Sequence, residues 1–180
     1  MAFAHEWLLD IARRESVDLS PKIKEELWSA LKALADFPTE QRTLTLLVSL
    51  VQDQELRKAF QPFTLEGPYG AMLDASNMQF REDRWQCFEM EALSDLPGAV
   101  APTLLAIFHR LEQTFNGDPA LLILDEAWLF LDDSLFAARI KAWLKTLRKK
   151  NVSVLFATQS LADIEQSSIA ATLIDACPQK

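Results

Sequence analysis

Two adjacent carboxylates, Asp125 and Glu126, follow directly on four apolar residues, Leu121, Leu122, Ile123 and Leu124, in the stretch ALLILDEAWLF. Charged groups are costly to bury without compensation, so a pair at the tip of such a run faces either solvent or a cation. In a parallel sheet, ligands gather at the carboxyl ends of the strands, and both acids would project into that crevice. Asp125 there suits a magnesium ion held through its water shell, because magnesium keeps several waters and takes few carboxylates. Glu126 suits the orientation or polarisation of an attacking water. Phosphoryl transfer needs positioning and charge neutralisation more than covalent help, so two neighbouring acids suffice for that half of a site. The plainer reading is a strand end with two solvated acids.

An apolar strand ending in Asp-Glu is the Walker B arrangement of nucleoside triphosphatases. One amphipathic helix later a second apolar run, VSVLFATQS, ends on Thr158-Gln159-Ser160. Gln159 at such a tip can hydrogen-bond the attacking water or the terminal phosphate; equally it can be a loop amide, with Ser160 capping a helix over LADIEQ. Arg148, in LKTLRKKN, shares a polar face with Lys141 and Lys145. It reads either as a solvated basic helix end or as an arginine finger delivered across a subunit interface. The phosphate cradle is missing: none of Gly67, Gly70, Gly98 and Gly117 is followed by lysine, as G-x-x-x-x-G-K-[ST] requires. A Walker B pair without a P-loop implies a degenerate homologue or a piece of a longer protein, and IDACPQK ends where another strand is expected.

The elements that must position these residues follow from periodicity. Trp7, Leu8, Ile11 and Ala12 have helical spacing, in an N-terminal helix expected to fray around His5. Ser20 and Pro21 read as N-cap and first-turn proline of a helix burying Ile23, Leu27, Leu31 and Leu34 and stopping before Pro38. TLTLLVSLVQ and DQELRKAFQPF predict two shorter helices, although Thr43, Thr45, Val48 and Val51 also suit a strand. Gly67, Pro68 and Gly70 then break the pattern, which divides the chain into an all-helical subdomain over 1–67 and a second region over 68–180. Beyond the break, RWQCFEMEAL predicts a short strand. PGAVAPTLLAIFHRLEQTF predicts a helix with Leu104, Leu105, Phe108, Leu111 and Phe115 on one face. Asn116 to Pro119 form a turn, the strand Leu121 to Leu124 follows, and a helix from about Asp133 to Lys150 buries Phe136, Ile140, Trp143, Leu144 and Leu147. VSVLFATQS completes an alternation that predicts an α/β fold, with a mainly parallel sheet covered on both faces.

Composition bounds the function. The 180 residues, 49% hydrophobic and 24% charged, are enough for one domain with a core or a core plus a small subdomain. A formal charge of -8 argues against a basic phosphate-binding surface and against direct nucleic-acid binding. Cys87 and Cys177 form no CxxC pair, so neither zinc nor a disulfide framework is indicated, and reduced thiols in the cytosol are expected. No apolar run approaches the length of a membrane span, and the N-terminus does not read as a signal peptide. Neither His5 nor His109 sits in a metal-ligand pattern.

The order GPYGAMLDA, FEMEAL, LLAIFHRLEQTFNGDPALLILDEAWLFLDD and IKAWLKTLRKKNVSVLFATQSLADI resembles the C-terminal ATPase domain of the type IV secretion and conjugal-transfer ATPases. The resemblance covers nearly the whole chain, and 1–67 is similar to the helical insertion that those proteins carry after the P-loop. It implies a partial RecA-like P-loop NTPase core, ATP and Mg2+ as ligands, and a hexamer at the cytoplasmic face of the inner membrane. There the complete protein would meet inner-membrane secretion components and energise pilus biogenesis or substrate transfer. By position, Asp125 and Glu126 match the Walker B acids, Gln159 the glutamine motif, and Arg148 an arginine acting in trans. Without a P-loop, the chain alone is expected to be inactive. The alternatives are a non-catalytic interaction module that docks on secretion partners, and a separate metal-dependent hydrolase using Asp125 and Glu126.

Overall fold

A computed structural model describes residues 1–75, 84–125, 134–158, 165 and 170–176. Contacts divide the chain into two compact units, Met1–Thr103 and Leu104–Lys180.

The first unit is built from helices whose ends are set by local chemistry. Helix α1 (Ala2–Arg14) is regular from its second residue, so the expected fraying is not observed. His5 is held there: its Nε2 lies 3.1 Å from the Lys24 carbonyl oxygen, and its ring stacks edge-on to Trp28. Helix α2 (Pro21–Ala35) starts as predicted, with the Ser20 hydroxyl accepting from the Ile23 N–H and Pro21 in the first turn. The ambiguous stretch after Arg42 is helix α3 (Leu44–Leu50), because the Thr43 hydroxyl accepts from the Leu46 N–H and fixes a helical start. Asp53 caps α4 (Gln54–Phe60) by accepting from the Glu55 and Leu56 N–H groups. Leu8, Ile11, Leu27, Leu47, Leu56, Phe60 and Phe63 form the centre of the core.

The glycine-rich break at Gly67–Gly70 lies within this unit, where it is a tight fold-back. A side chain at Gly67 would collide with the backbone of Gln61 and Pro62, and one at Gly70 with that of Thr64. The turn ends in a single helical turn, α5 (Gly70–Leu73), and its exit is anchored by Asp74. The buried Asp74 carboxylate accepts from the Thr45 N–H at 3.1 Å, the Leu65 N–H at 2.8 Å and the Thr45 hydroxyl.

The strand expected over RWQCFEMEAL is not formed. Residues 85–90 have no regular structure, and the segment closes as the helical turn α6 (Glu91–Ser94). The Glu89 carboxylate accepts from the Met90 and Glu91 N–H groups, which favours helical over extended backbone there. Helix α7 (Pro97–Thr114) follows and accommodates Pro102 in its interior. The Pro102 carbonyl accepts from the Trp7 indole N–H at 2.8 Å.

In the second unit, strand β1 (Ala120–Asp125) pairs in parallel with β2 (Val152–Ala157), giving a two-stranded sheet among the described residues. Helix α8 (Ser134–Thr146) is the crossover, tightening into a 3-10 turn over Leu147–Lys150, so the α-helix ends earlier than the expected Lys150. Asn151 in the left-handed conformation turns the chain into β2. Phe108 of α7 packs edge-on to Trp143 of α8 and at a tilt to Phe136. Helix α9 (Ala170–Ala176) lies against α8 and buries Leu173. No helix among the described residues is long and apolar enough to cross a membrane.

Candidate nucleotide site at the carboxyl end of the sheet

The register of the sheet decides what meets at the candidate site. Asp125 stands opposite Ala157, the last residue of β2, so the strand leading to Glu126 and the strand leading to Thr158 and Gln159 finish side by side. Glu126 and Gln159 themselves lie outside the described residues, as does Cys177. Asp125 is exposed at this end.

Two faces of the sheet have different surroundings. Leu122, Leu124, Val154 and Phe156 face Ile140, Trp143, Leu144 and Leu147 of the crossover, forming one apolar layer. On the other face Leu121 is 61% exposed, Ile123 52% and Leu155 49%. Strand β1 therefore alternates, and the expectation of a sheet covered on both faces is corrected: helix α8 covers one. Because side chains repeat every second residue, Asp125 belongs to the open face with Leu121 and Ile123.

Arg148 is exposed in the 3-10 turn before β2, and its carbonyl accepts from the Asn151 N–H. It belongs to the amino end of the sheet, away from Asp125; the fold does not bring these two predicted site residues together. Lys150 at the same end donates to the Glu112 carbonyl at 3.0 Å and ties the turn to α7. His109 on α7 is half-buried, and its proton affinity is lowered chiefly by desolvation and then by the Arg139 guanidinium. Cys87 is an exposed free thiol. Among the described residues no three of His, Cys, Asp and Glu gather as a metal cluster.

A single exposed carboxylate at a strand's carboxyl end fits magnesium, which takes one or two carboxylates and fills its remaining positions with water and phosphate oxygens. The phosphate groups of a nucleotide do not find their partners within these 180 residues, since no glycine is followed by lysine. The arrangement therefore supplies the metal side of a phosphoryl-transfer site.

A crossover-linked parallel strand pair with an acid at its carboxyl end is the geometry of a P-loop protein's Walker B half, and the TraG P-loop domain family matches residues 26–180. The chain belongs to that family. Its relatives are proteins of conjugal transfer and type IV secretion. The conjugal transfer protein TrbE of Rhizobium radiobacter is 37% identical over 99% of this chain and 22% of its own length. A probable conjugal transfer protein TrbE of Sinorhizobium fredii is 36% identical over 99% of this chain and 27% of its own. The type IV secretion system protein virB4 of Bartonella henselae is 28% identical over 98% of this chain and 23% of its own. The chain thus spans about a quarter of the length of the relatives it matches.

Proposed function

We propose that this chain is the Walker B portion of a secretion or conjugation ATPase that hydrolyses ATP to energise pilus biogenesis and type IV substrate transfer. The observation that carries the reading is Asp125, exposed at the carboxyl end of a parallel strand in a chain that matches a P-loop family. In this reading residues 68–180 are the C-terminal half of a RecA-like core and residues 1–67 its helical subdomain. Asp125 holds the waters of a magnesium ion, which when bound neutralises phosphate charge. Glu126 orients a water, Gln159 hydrogen-bonds that water or the terminal phosphate, and Arg148 serves the site of a neighbouring subunit. The complete protein works as a homo-hexamer on the cytoplasmic side of the inner membrane, against inner-membrane components of the secretion system. The chain alone lacks the phosphate cradle and is inactive.

The test is nucleotide turnover in the complete ATPase. Asp125→Asn should raise the magnesium concentration needed for half-maximal turnover, and Glu126→Gln should abolish turnover while nucleotide binding persists. Full activity in Glu126→Gln would overturn the assignment. The second reading, a non-catalytic module that docks on secretion partners, is favoured by the open apolar sheet face. It predicts that both substitutions leave secretion intact.

A further inference from the structure

Parallel sheets are stable when both faces are covered, because their strands are apolar on both sides. Here α8 covers the face of Leu122 and Val154, whereas Leu121, Ile123 and Leu155 stay about half exposed or more, on neighbouring positions of the two strands. Ile123 is directly opposite Leu155, so the three side chains form one continuous apolar patch. Asp125 continues the same face to the carboxyl end of β1.

We infer that the occupant of this face is the helix of a strand–loop–helix segment bearing G-x-x-x-x-G-K-[ST]; the inference rests on the ATPase reading above. Three observations select this occupant. The family that matches residues 26–180 is a P-loop domain, yet no glycine in the 180 residues precedes a lysine. A helix that follows a parallel strand runs back across the sheet, so its amino terminus starts at the carboxyl end of the strands. Laid over Leu121 and Ile123, its amino terminus arrives beside Asp125, and phosphates bound by its N–H groups meet the magnesium side of the site. A second copy of this chain would cover the apolar residues but would bring another acid to Asp125 and no phosphate-binding loop.

The test is photo-crosslinking in the complete ATPase with a benzophenone amino acid at position 123, with peptides identified by mass spectrometry and no nucleotide added. Position 65 serves as control, since Leu65 is an exposed leucine of the first unit. The expected result is a dominant crosslink from position 123 to the helix following the glycine-rich loop, lost when that helix is deleted and absent from position 65. A crosslink from position 123 to any other segment, or to a second copy of this chain, overturns the inference, as does labelling no stronger than at position 65. The helix crosslink without ATP turnover would leave the docking intact and sink the ATPase reading; turnover with a crosslink elsewhere would do the reverse.

Discussion

Asp125 and Arg148 stand at opposite ends of one sheet. The parallel register sets Asp125 against Ala157, while Arg148 lies in the turn that leads to Val152, opposite Ala120. Five residue steps at about 3.3 Å separate the two ends by roughly 17 Å. That gap is too long for Arg148 to reach phosphates held at its own subunit's Asp125. Catalytic use of Arg148 therefore calls for a neighbouring subunit whose sheet end comes close, and otherwise it remains a solvated basic group at the end of a helix.

Mixing experiments separate these roles. In the complete ATPase, Arg148→Ala is expected to leave nucleotide affinity nearly unchanged and to lower turnover by roughly 10³-fold, the order seen for arginine fingers. Glu126→Gln is expected to be equally inactive. An Arg148→Ala subunit keeps its own Glu126 and can borrow a neighbour's arginine, so hexamers doped with both variants should regain some of the activity. Doped assemblies that exchange subunits and remain inactive would return Arg148 to the solvated reading.

The isolated chain is expected to bind ATP weakly. Phosphates held by a P-loop are contacted by backbone N–H groups and a lysine, and the acid at Asp125 repels the same anion unless magnesium bridges them. Titration calorimetry should record no binding in the micromolar range, with or without magnesium. A micromolar isotherm would mean that another cradle exists in the chain.

Local signals were legible in the sequence, and those depending on distant partners were not. Ser20, Pro21 and the helix before Pro38 could be read because a cap acts on the next few N–H groups. The same logic explains why Thr43 resolves an ambiguous run into α3. The segment around Trp85, by contrast, needs a neighbouring strand to become one, and periodicity carries no information about that neighbour. Four consecutive apolar residues likewise conceal which of them face α8, so the open face of Leu121 and Ile123 had no signal in composition. Asp125 was readable from its place after that run, and the register gives it Ala157 as neighbour. The expectations for Glu126 and Gln159 fall outside the described residues.

Asp74 had no sequence signal either, since its partners come from Thr45 and Leu65. Its removal is expected to be costly. Asp74→Ala leaves two backbone N–H groups and a hydroxyl without their buried acceptor, at roughly 1–3 kcal/mol for each unsatisfied group. Urea unfolding should show a loss of about 3 kcal/mol or more, and Asp74→Asn, which keeps one acceptor oxygen, should recover some of it. Equal stability of all three proteins would mean that water replaces the carboxylate freely.

His109 gives the second unit a pH dependence whose sign follows from its surroundings. Desolvation and the Arg139 guanidinium, with a smaller effect from Arg110, oppose its protonation, while Glu112 favours it and loses. The Gln113 amide nitrogen lies 3.0 Å from His109 Nε2, a contact that suits a neutral ring accepting there. A folded-state pKa below the unfolded value means that the unfolded chain binds more protons as the pH falls. The stabilising contribution is then fully present above the unfolded value of about 6.5 and declines as the pH falls through the lower folded value. Urea midpoints at about pH 7.5 and about pH 5.5 should therefore drop further for the native chain than for His109→Gln, which cannot take up the proton. Carboxylates common to both proteins cancel in this difference. Identical drops would show that charged His109 is accommodated at no cost, and that Arg139 does not oppose it in solution.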